Sequence, residues 1–245
     1  MRKRTNILDV FFDAITIEGA TNNVLNFLKG PGQYAVYTAN PEFVMEAQKN
    51  KVFRDILNSG DLVVADGIGV VLGSKIIKKS LPERVAGYDL VQNIFSSIKS
   101  TPMTVYFFGA APNIASIAAS RMMEKHAGLK IIGTHNGYFD SAEEAKIIDE
   151  INNLKPDLLL IGLGAPRQEK WWTQHRDHLN VNVCICVGGS FDVMSGTVKR
   201  APKLFIKLGL EWFHRLITQP SRFKRMMKLP LFLVQVFKTR KKYMT

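Results

Sequence analysis

Cysteine is nearly missing from this chain: of 245 residues only Cys184 and Cys186 carry a thiol. They stand two apart in the apolar run VCICV, where a strand would set both side chains on one face with backbone between them. A disulfide joining them is disfavoured, and a reducing compartment such as the cytoplasm fits best. Long hydrophobic runs are missing as well. The longest candidate, Leu229 to Phe237 (LPLFLVQVF), carries a proline and a glutamine and falls short of the ~20 apolar residues that span a bilayer. The opening MRKRTNILDV is basic, but it meets Asp9 and Asp13 without the apolar core or small-residue cleavage site of a signal peptide. There is no G-x-S-x-G nucleophile elbow, no internal repeat of fixed period and no low-complexity segment. His175 and His178 have a spacing that can hold a metal, yet no third ligand stands at matching spacing, so they read as a solvated helix face and no metal is expected.

Acidic residues are scarce in one region only. The chain has 33 Lys plus Arg against 21 Asp plus Glu, a formal +12. From Gly196 onward there are 13 basic residues and a single acid, Glu211, while the first 195 residues hold 20 of each sign and are net neutral. This divides the chain into a neutral body, 1–195, and a basic appendage, 196–245. A uniformly basic coat for nucleic acid is excluded. At 46% apolar and 22% charged the composition is that of an ordinary globular protein long enough to bury a sizeable core.

The body repeats one arrangement: a short apolar run, a polar or glycine turn, then a segment of helical period. It recurs in YAVYTANPEFVMEAQ from Tyr34, LVVADGIGVVLGSKI from Leu62, TVYFFGAAPNIASIAASRM from Thr104, DLLLIGLGAPRQEKWW from Asp157 and VNVCICVGGSFDVMSG from Val181, and KIIG at Lys130 adds a further short strand. Continuous apolar runs of four to six residues are the pattern of strands buried on both faces. Their alternation with helices predicts an α/β fold: a mostly parallel, Rossmann-like sheet with helices on both faces, plus a C-terminal amphipathic helical appendage. In such sheets ligands bind beyond the carboxyl ends of the strands, so the turns after these runs are where chemistry collects.

In the appendage, Lys203 to Gln219 reads as one helix. Leu204, Phe205, Leu208, Trp212, Phe213 and Leu216 share a broad face, with Lys207 and Glu211 elsewhere. Pro220 stops it, and Ser221 can cap a second helix through RFKRMMK. There Arg222, Lys224, Arg225 and Lys228 interleave with Phe223, Met226, Met227 and Leu229, which suits a helix lying in a bilayer interface; near an anionic leaflet each basic residue contributes ~1 kcal/mol. Nucleic-acid binding and a simple docking helix are the rival readings, the former disfavoured because no nucleic-acid motif accompanies the charge. Away from a membrane such a face would be buried by self-association, so a homo-oligomer is a further expectation.

Asp66 follows an apolar strand directly and precedes a helix, which aims a carboxylate at the crevice. Two readings fit: a general base for an attacking hydroxyl, or an Asp-Gly turn and helix cap. GLGAPRQ from Gly162 fails as a dinucleotide fingerprint, because Arg167 replaces the third glycine and Pro166 sits where the helix starts. It remains either a glycine turn facing phosphate or sugar, with Arg167 and Gln168 as polar contacts, or a turn whose glycines serve packing.

Three stretches go beyond generic α/β features: TANPEFV at Thr38, VVADGIGVV with RVAGYDL, and GGSFDVMSGTVKRAPKLFIKLGLEWFHRLITQPSRFKR from Gly188. Together they resemble the WecG/TagA/CpsF family of bacterial glycosyltransferases, from about Ile7 to Arg225, and most of all its wall teichoic acid branch. The resemblance implies an inverting enzyme that needs no metal or cofactor. It would move N-acetylmannosamine from a UDP-sugar donor to undecaprenyl-diphosphate-linked GlcNAc at the cytoplasmic face of an anionic membrane, with no nucleic-acid partner. By the same resemblance Asp66 is the catalytic base, Thr38, Asn40 and Gln168 are pocket residues, and Arg84 lies close to the reacting sugars. Gly109, Tyr138, Gly164, Gly189 and Asp192 would hold the uridine and its phosphates. Arg215, Arg222 and Arg225 would fold over the site and neutralise diphosphate charge. Another UDP-sugar, or a soluble nucleotide-sugar reaction on the same fold, is the alternative.

Overall fold

A computed structural model describes residues 2–218 and 223–244, apart from the side chains of Lys203, Lys207, Arg215, Lys224 and Arg225. The chain opens with a hairpin, β1 (Arg4–Ile7) and β2 (Val10–Asp13), and then alternates: α1 (Ile17–Lys29), β3 (Tyr34–Ala39), α2 (Pro41–Ala47), α3 (Lys51–Asn58), β4 (Leu62–Ala65), α4 (Ile68–Ile76), α5 (Gly87–Ile98), β5 (Thr104–Gly109), α6 (Ile114–Lys125), β6 (Lys130–His135), α7 (Ser141–Leu154), β7 (Leu158–Gly162), α8 (Arg167–His175), β8 (Val183–Cys186) and α9 (Ser190–Met194). The last segments are α10 (Lys203–Lys207), α11 (Glu211–Thr218), α12 (Phe223–Met226) and α13 (Lys228–Tyr243).

Strands β3 to β8 form one parallel sheet in the order β4-β3-β8-β7-β5-β6. Every residue of β4, β7 and β8 is buried, as expected of strands covered on both faces. Alternate side chains feed two cores. Leu159, Ile161, Cys184 and Cys186 enter one, and Leu158, Leu160, Val183 and Ile185 the other. Both cysteines are free thiols on the same side of the sheet.

The N-terminal hairpin was absent from the sequence expectations. Its two-residue turn, Leu8–Asp9, has φ of 51° and 62°, the geometry normally supplied by Asn-Gly; here the Asn6 side chain accepts the Asp9 N–H instead. Asp13 fastens the hairpin to the sheet by accepting the Val63 N–H at 2.8 Å and pairing with Arg4.

The single helix expected over Lys203 to Gln219 is two helices. Gly209, at φ 71°, takes a left-handed conformation that costs a glycine little. The Gly209 N–H then bonds to the Ile206 carbonyl and the Leu210 N–H to that of Phe205, closing α10 in a Schellman motif. The restart at Glu211 turns that residue inward, whereas the sequence pattern had set it apart from the apolar face. The expected stop at Pro220 and cap at Ser221 lie outside the described residues.

Helix α13 is built into the body. Phe232, Val236 and Tyr243 belong to the same core as β7 and β8. Two glycines of α4 make room for it: a Cβ on Gly69 would fall 2.2 Å from Leu229, and one on Gly73 would fall 2.9 Å from Phe232. Ion pairs of Lys228 with Glu42 and of Lys242 with Asp9 flank the contact. The opposite side of α13 leaves Leu231, Val234 and Phe237 exposed. Among the described residues no helix is long and apolar enough to cross a membrane. Replacement of a fully buried phenylalanine costs ~3–5 kcal/mol, so Phe232→Ala is expected to lower the free energy of unfolding in urea by about that amount. A loss near zero would mean that α13 is not part of the core in solution.

Candidate active site

Beyond the carboxyl ends of β4, β3, β8 and β7 lies a cavity of about 270 Å³. The backbone builds it. After β4 the chain must reverse into α4, and Gly67 does so at φ 125°, a region closed to most side chains. That reversal leaves Asp66 at the cavity wall, where its Oδ2 accepts the N–H of Gly87, the first residue of α5, at 3.2 Å. The carboxylate thus sits at the amino end of a 12-residue helix, where negative charge is favoured. It is not the cap of α4, whose N-cap is Gly67. Thr38 is tied to the adjacent strand, its hydroxyl donating to the Cys186 carbonyl at 3.0 Å. Asn40 caps α2 by accepting the Glu42 and Phe43 N–H groups.

From the other side, Gln168 lines the cavity near the start of α8. Its Oε1 accepts the Gly188 N–H at 3.1 Å, and its Nε2 donates to Glu169 Oε1 at 2.7 Å. Gly164 and Gly189 complete this wall. Two guanidinium groups line the space as well, each held by a carboxylate from a distant segment. Arg84 donates to Glu211 at 2.6 Å, and Arg200 donates to Asp89 at 2.6 Å while stacking 4.7 Å over the Tyr88 ring.

The Glycosyl transferase WecG/TagA/CpsF family model matches residues 5–245. The chain belongs to that family. It is 39% identical over 203 residues to an N-acetylglucosaminyldiphosphoundecaprenol N-acetyl-beta-D-mannosaminyltransferase of Bacillus spizizenii, covering 83% of this chain and 78% of the relative. The protein of the same name from Bacillus subtilis is 35% identical, covering 84% and 80%, and that from Staphylococcus aureus is 30% identical, covering 98% and 94%.

In this WecG/TagA/CpsF glycosyltransferase, the residues expected at the site divide into two groups. Thr38, Asn40, Asp66, Arg84, Gly164, Gln168 and Gly189 line the one cavity. Gly109, Tyr138 and Asp192 do not. Gly109 serves close packing, since a Cβ there would lie 2.4 Å from the Gly162 backbone. Tyr138 is 71% exposed on the loop after β6, and Asp192 lies in the first turn of α9. Arg167, read as a polar contact, donates to the Gly137 carbonyl and stacks on Phe139 outside the cavity. Arg222 and the side chains of Arg215 and Arg225 fall outside the described residues. Among the described residues no three His, Cys, Asp or Glu gather as metal ligands.

The cavity also contains residues the sequence reading passed over: Tyr88, Arg200, Glu211 and Trp212. One signal was available. Glu211 is the only acid in the last fifty residues, against 13 basic ones, and a carboxylate that breaks a charge pattern is a candidate for a specific ion pair. Next to Gln168, Glu169 is fully buried, and burial pushes its carboxyl up to about 7, well above the usual range for glutamate.

That shift has a defined sign. With the folded group titrating above the unfolded one, the stability it contributes is complete below about pH 4.5 and is lost as pH rises through about 7. Glu169→Gln removes the titration. Its unfolding free energy is expected to pull ahead of the wild type between those limits, by about 3 kcal/mol at the upper end, in urea titrations across that range. A gap independent of pH would mean that Glu169 titrates like a solvated glutamate.

Proposed function

We propose that this chain transfers N-acetylmannosamine from a UDP donor to the C4 hydroxyl of GlcNAc carried on undecaprenyl diphosphate, with inversion at the anomeric carbon. The observation that carries the reading is Asp66, a carboxylate held at the cavity wall by a backbone N–H, in a chain whose relatives bear that activity in their names. The acceptor oxygen attacks the anomeric carbon as Asp66 takes its proton. The bond from that carbon to the diphosphate breaks, and UDP leaves with the electron pair. Thr38, Asn40 and Gln168 bound the space for the reacting sugars, and Arg84 lies beside them. Gly164 and Gly189 in the cavity, with Gly109, Tyr138 and Asp192 beyond its wall, are assigned to the uridine diphosphate. Without a metal, cationic side chains must stabilise the departing diphosphate, and Arg215, Arg222 and Arg225 are assigned that part.

The lipid acceptor requires the enzyme to work at a membrane, and the C-terminal segment is suited to lie on one at its cytoplasmic face. It carries the entire charge excess, and Leu204, Leu208, Phe213 and Ile217 are exposed on α10 and α11 alongside Leu231, Val234 and Phe237 on α13. Apolar side chains enter the interface while basic ones face anionic headgroups.

A UDP-release assay tests the chemistry. Release is expected only when UDP-N-acetylmannosamine and a short-chain lipid-diphosphate GlcNAc analogue are both present, and EDTA is expected to leave the rate unchanged. Asp66→Ala should reduce transfer by about 10²–10⁴-fold, the usual worth of a general base, while donor binding measured by calorimetry persists. An active Asp66→Ala variant would remove the base assignment, and an EDTA-sensitive rate restored by Mg²⁺ would overturn the metal-free mechanism. For the surface, Leu231→Glu with Phe237→Glu should weaken sedimentation with phosphatidylglycerol vesicles. Equal sedimentation of the variant and the wild type would mean that α13 does not contact the membrane.

A further inference from the structure

Glu169 has no contact with solvent. One oxygen, Oε1, accepts an N–H of the Gln168 carboxamide at 2.7 Å, and no described residue partners Oε2. The neighbouring strands face it with the Tyr37 phenol on β3 and the Cys186 thiol on β8, and burial shifts both toward their neutral forms. A carboxyl buried in this way is a poor source of stability, because an apolar side chain of the same volume would avoid both the desolvation and the unsatisfied oxygen.

The arrangement supplies orientation instead. A carboxamide can be seated in two ways that exchange its oxygen and nitrogen. Glu169 Oε1 demands the nitrogen on its side, and it still accepts when a proton occupies Oε2. The Gly188 N–H, 3.1 Å from Gln168 Oε1, demands the oxygen on the other side. The two demands agree. Gln168 itself has no contact with solvent, so what this orientation fixes at the cavity is the Gly188–Gly189 turn that lines it.

We propose that Glu169 is a positioning residue for sugar transfer: it holds Gln168 in the one orientation that ties down the Gly188–Gly189 turn at the cavity wall. This turn stands across β3 from Asp66 in the sheet order. The inference rests on the transferase reading of this cavity.

The test measures transfer from UDP-N-acetylmannosamine to the lipid analogue, and thermal melting, for the full-length wild type, Glu169→Met, Glu169→Gln, Gln168→Ala and the Glu169→Met/Gln168→Ala double variant. Glu169→Met is expected to lower kcat by at least about tenfold with donor KM within about threefold and melting temperature unchanged or raised. Glu169→Gln keeps an acceptor oxygen and should recover most of the loss. In the Gln168→Ala background Glu169→Met should cost nothing further, because the two residues act as one unit. Full kcat in Glu169→Met, an equal loss in both backgrounds, or a kcat loss that follows a fall in melting temperature would each overturn the proposal. The side-chain amide resonances of Gln168 in ¹⁵N-glutamine-labelled protein, identified by their disappearance in Gln168→Ala, give a readout independent of turnover. They are expected to move or broaden in Glu169→Met, and unchanged resonances would also overturn the proposal. A wild type that releases no UDP would defeat the transferase reading by itself, while these resonances would still decide whether Glu169 orients Gln168.

Discussion

A parallel sheet covered on both faces has no place for polar chemistry except beyond the ends of its strands. Here β4, β7 and β8 are buried along their whole length, and alternate residues fill two separate cores. The polar groups that interrupt the apolar runs are therefore driven to the carboxyl ends. There, backbone N–H groups left unpaired by the helix starts can be satisfied by side chains. Asp66 at the Gly87 N–H and Asn40 over the start of α2 meet this demand, and Gln168 binds the Gly188 N–H in the turn before α9. The same bonds that close the helix ends also aim the side chains of the cavity.

The second determinant is the exchange of ion pairs between body and tail. Arg84 of the body is held by Glu211 of the tail, and Arg200 of the tail by Asp89 of the body, both at 2.6 Å. Each pair is partly withdrawn from water, where breaking one partner away leaves an uncompensated charge. The glycines at 69 and 73 act in the same direction through packing, by admitting Leu229 and Phe232 against α4. The helix that follows Asp66 is thereby clamped between the sheet and the last helix of the chain.

Much of this was legible in the residues. Unbroken runs such as LLLIG and VCIC carry the pattern of strands buried on both faces, and a cavity forms after the ends of such strands; the places of Asp66, Asn40 and Gln168 at its wall follow from that, their roles from the family resemblance. What was not legible depended on distance or on a single dihedral angle. Nothing near Glu211 reveals that its partner lies 127 residues earlier. Gly209 does not show, within an amphipathic pattern that continues through it, that it ends one helix and reorients the next. The hairpin turn at Leu8–Asp9 lacks the glycine or asparagine that normally signals one, because Asn6 supplies the bond from outside the turn. Gly109 is required twice over, by a φ of 134° and by packing against the Gly162 backbone, so its glycine alone does not mark a ligand.

The order in which the cavity acquires its walls also bears on synthesis. The sheet is complete once β8 ends at Cys186, but Arg200, Gly209, Glu211, Trp212, Met226 and Leu229 all line the cavity and are translated afterwards. A nascent chain can therefore own every strand of the sheet while one of its cores still lacks Phe232, Val236 and Tyr243 and the cavity lacks part of its wall. The contact of Phe232 with Gly73 belongs to that later stretch, so the enclosure of the cavity depends on residues that the sheet itself does not need.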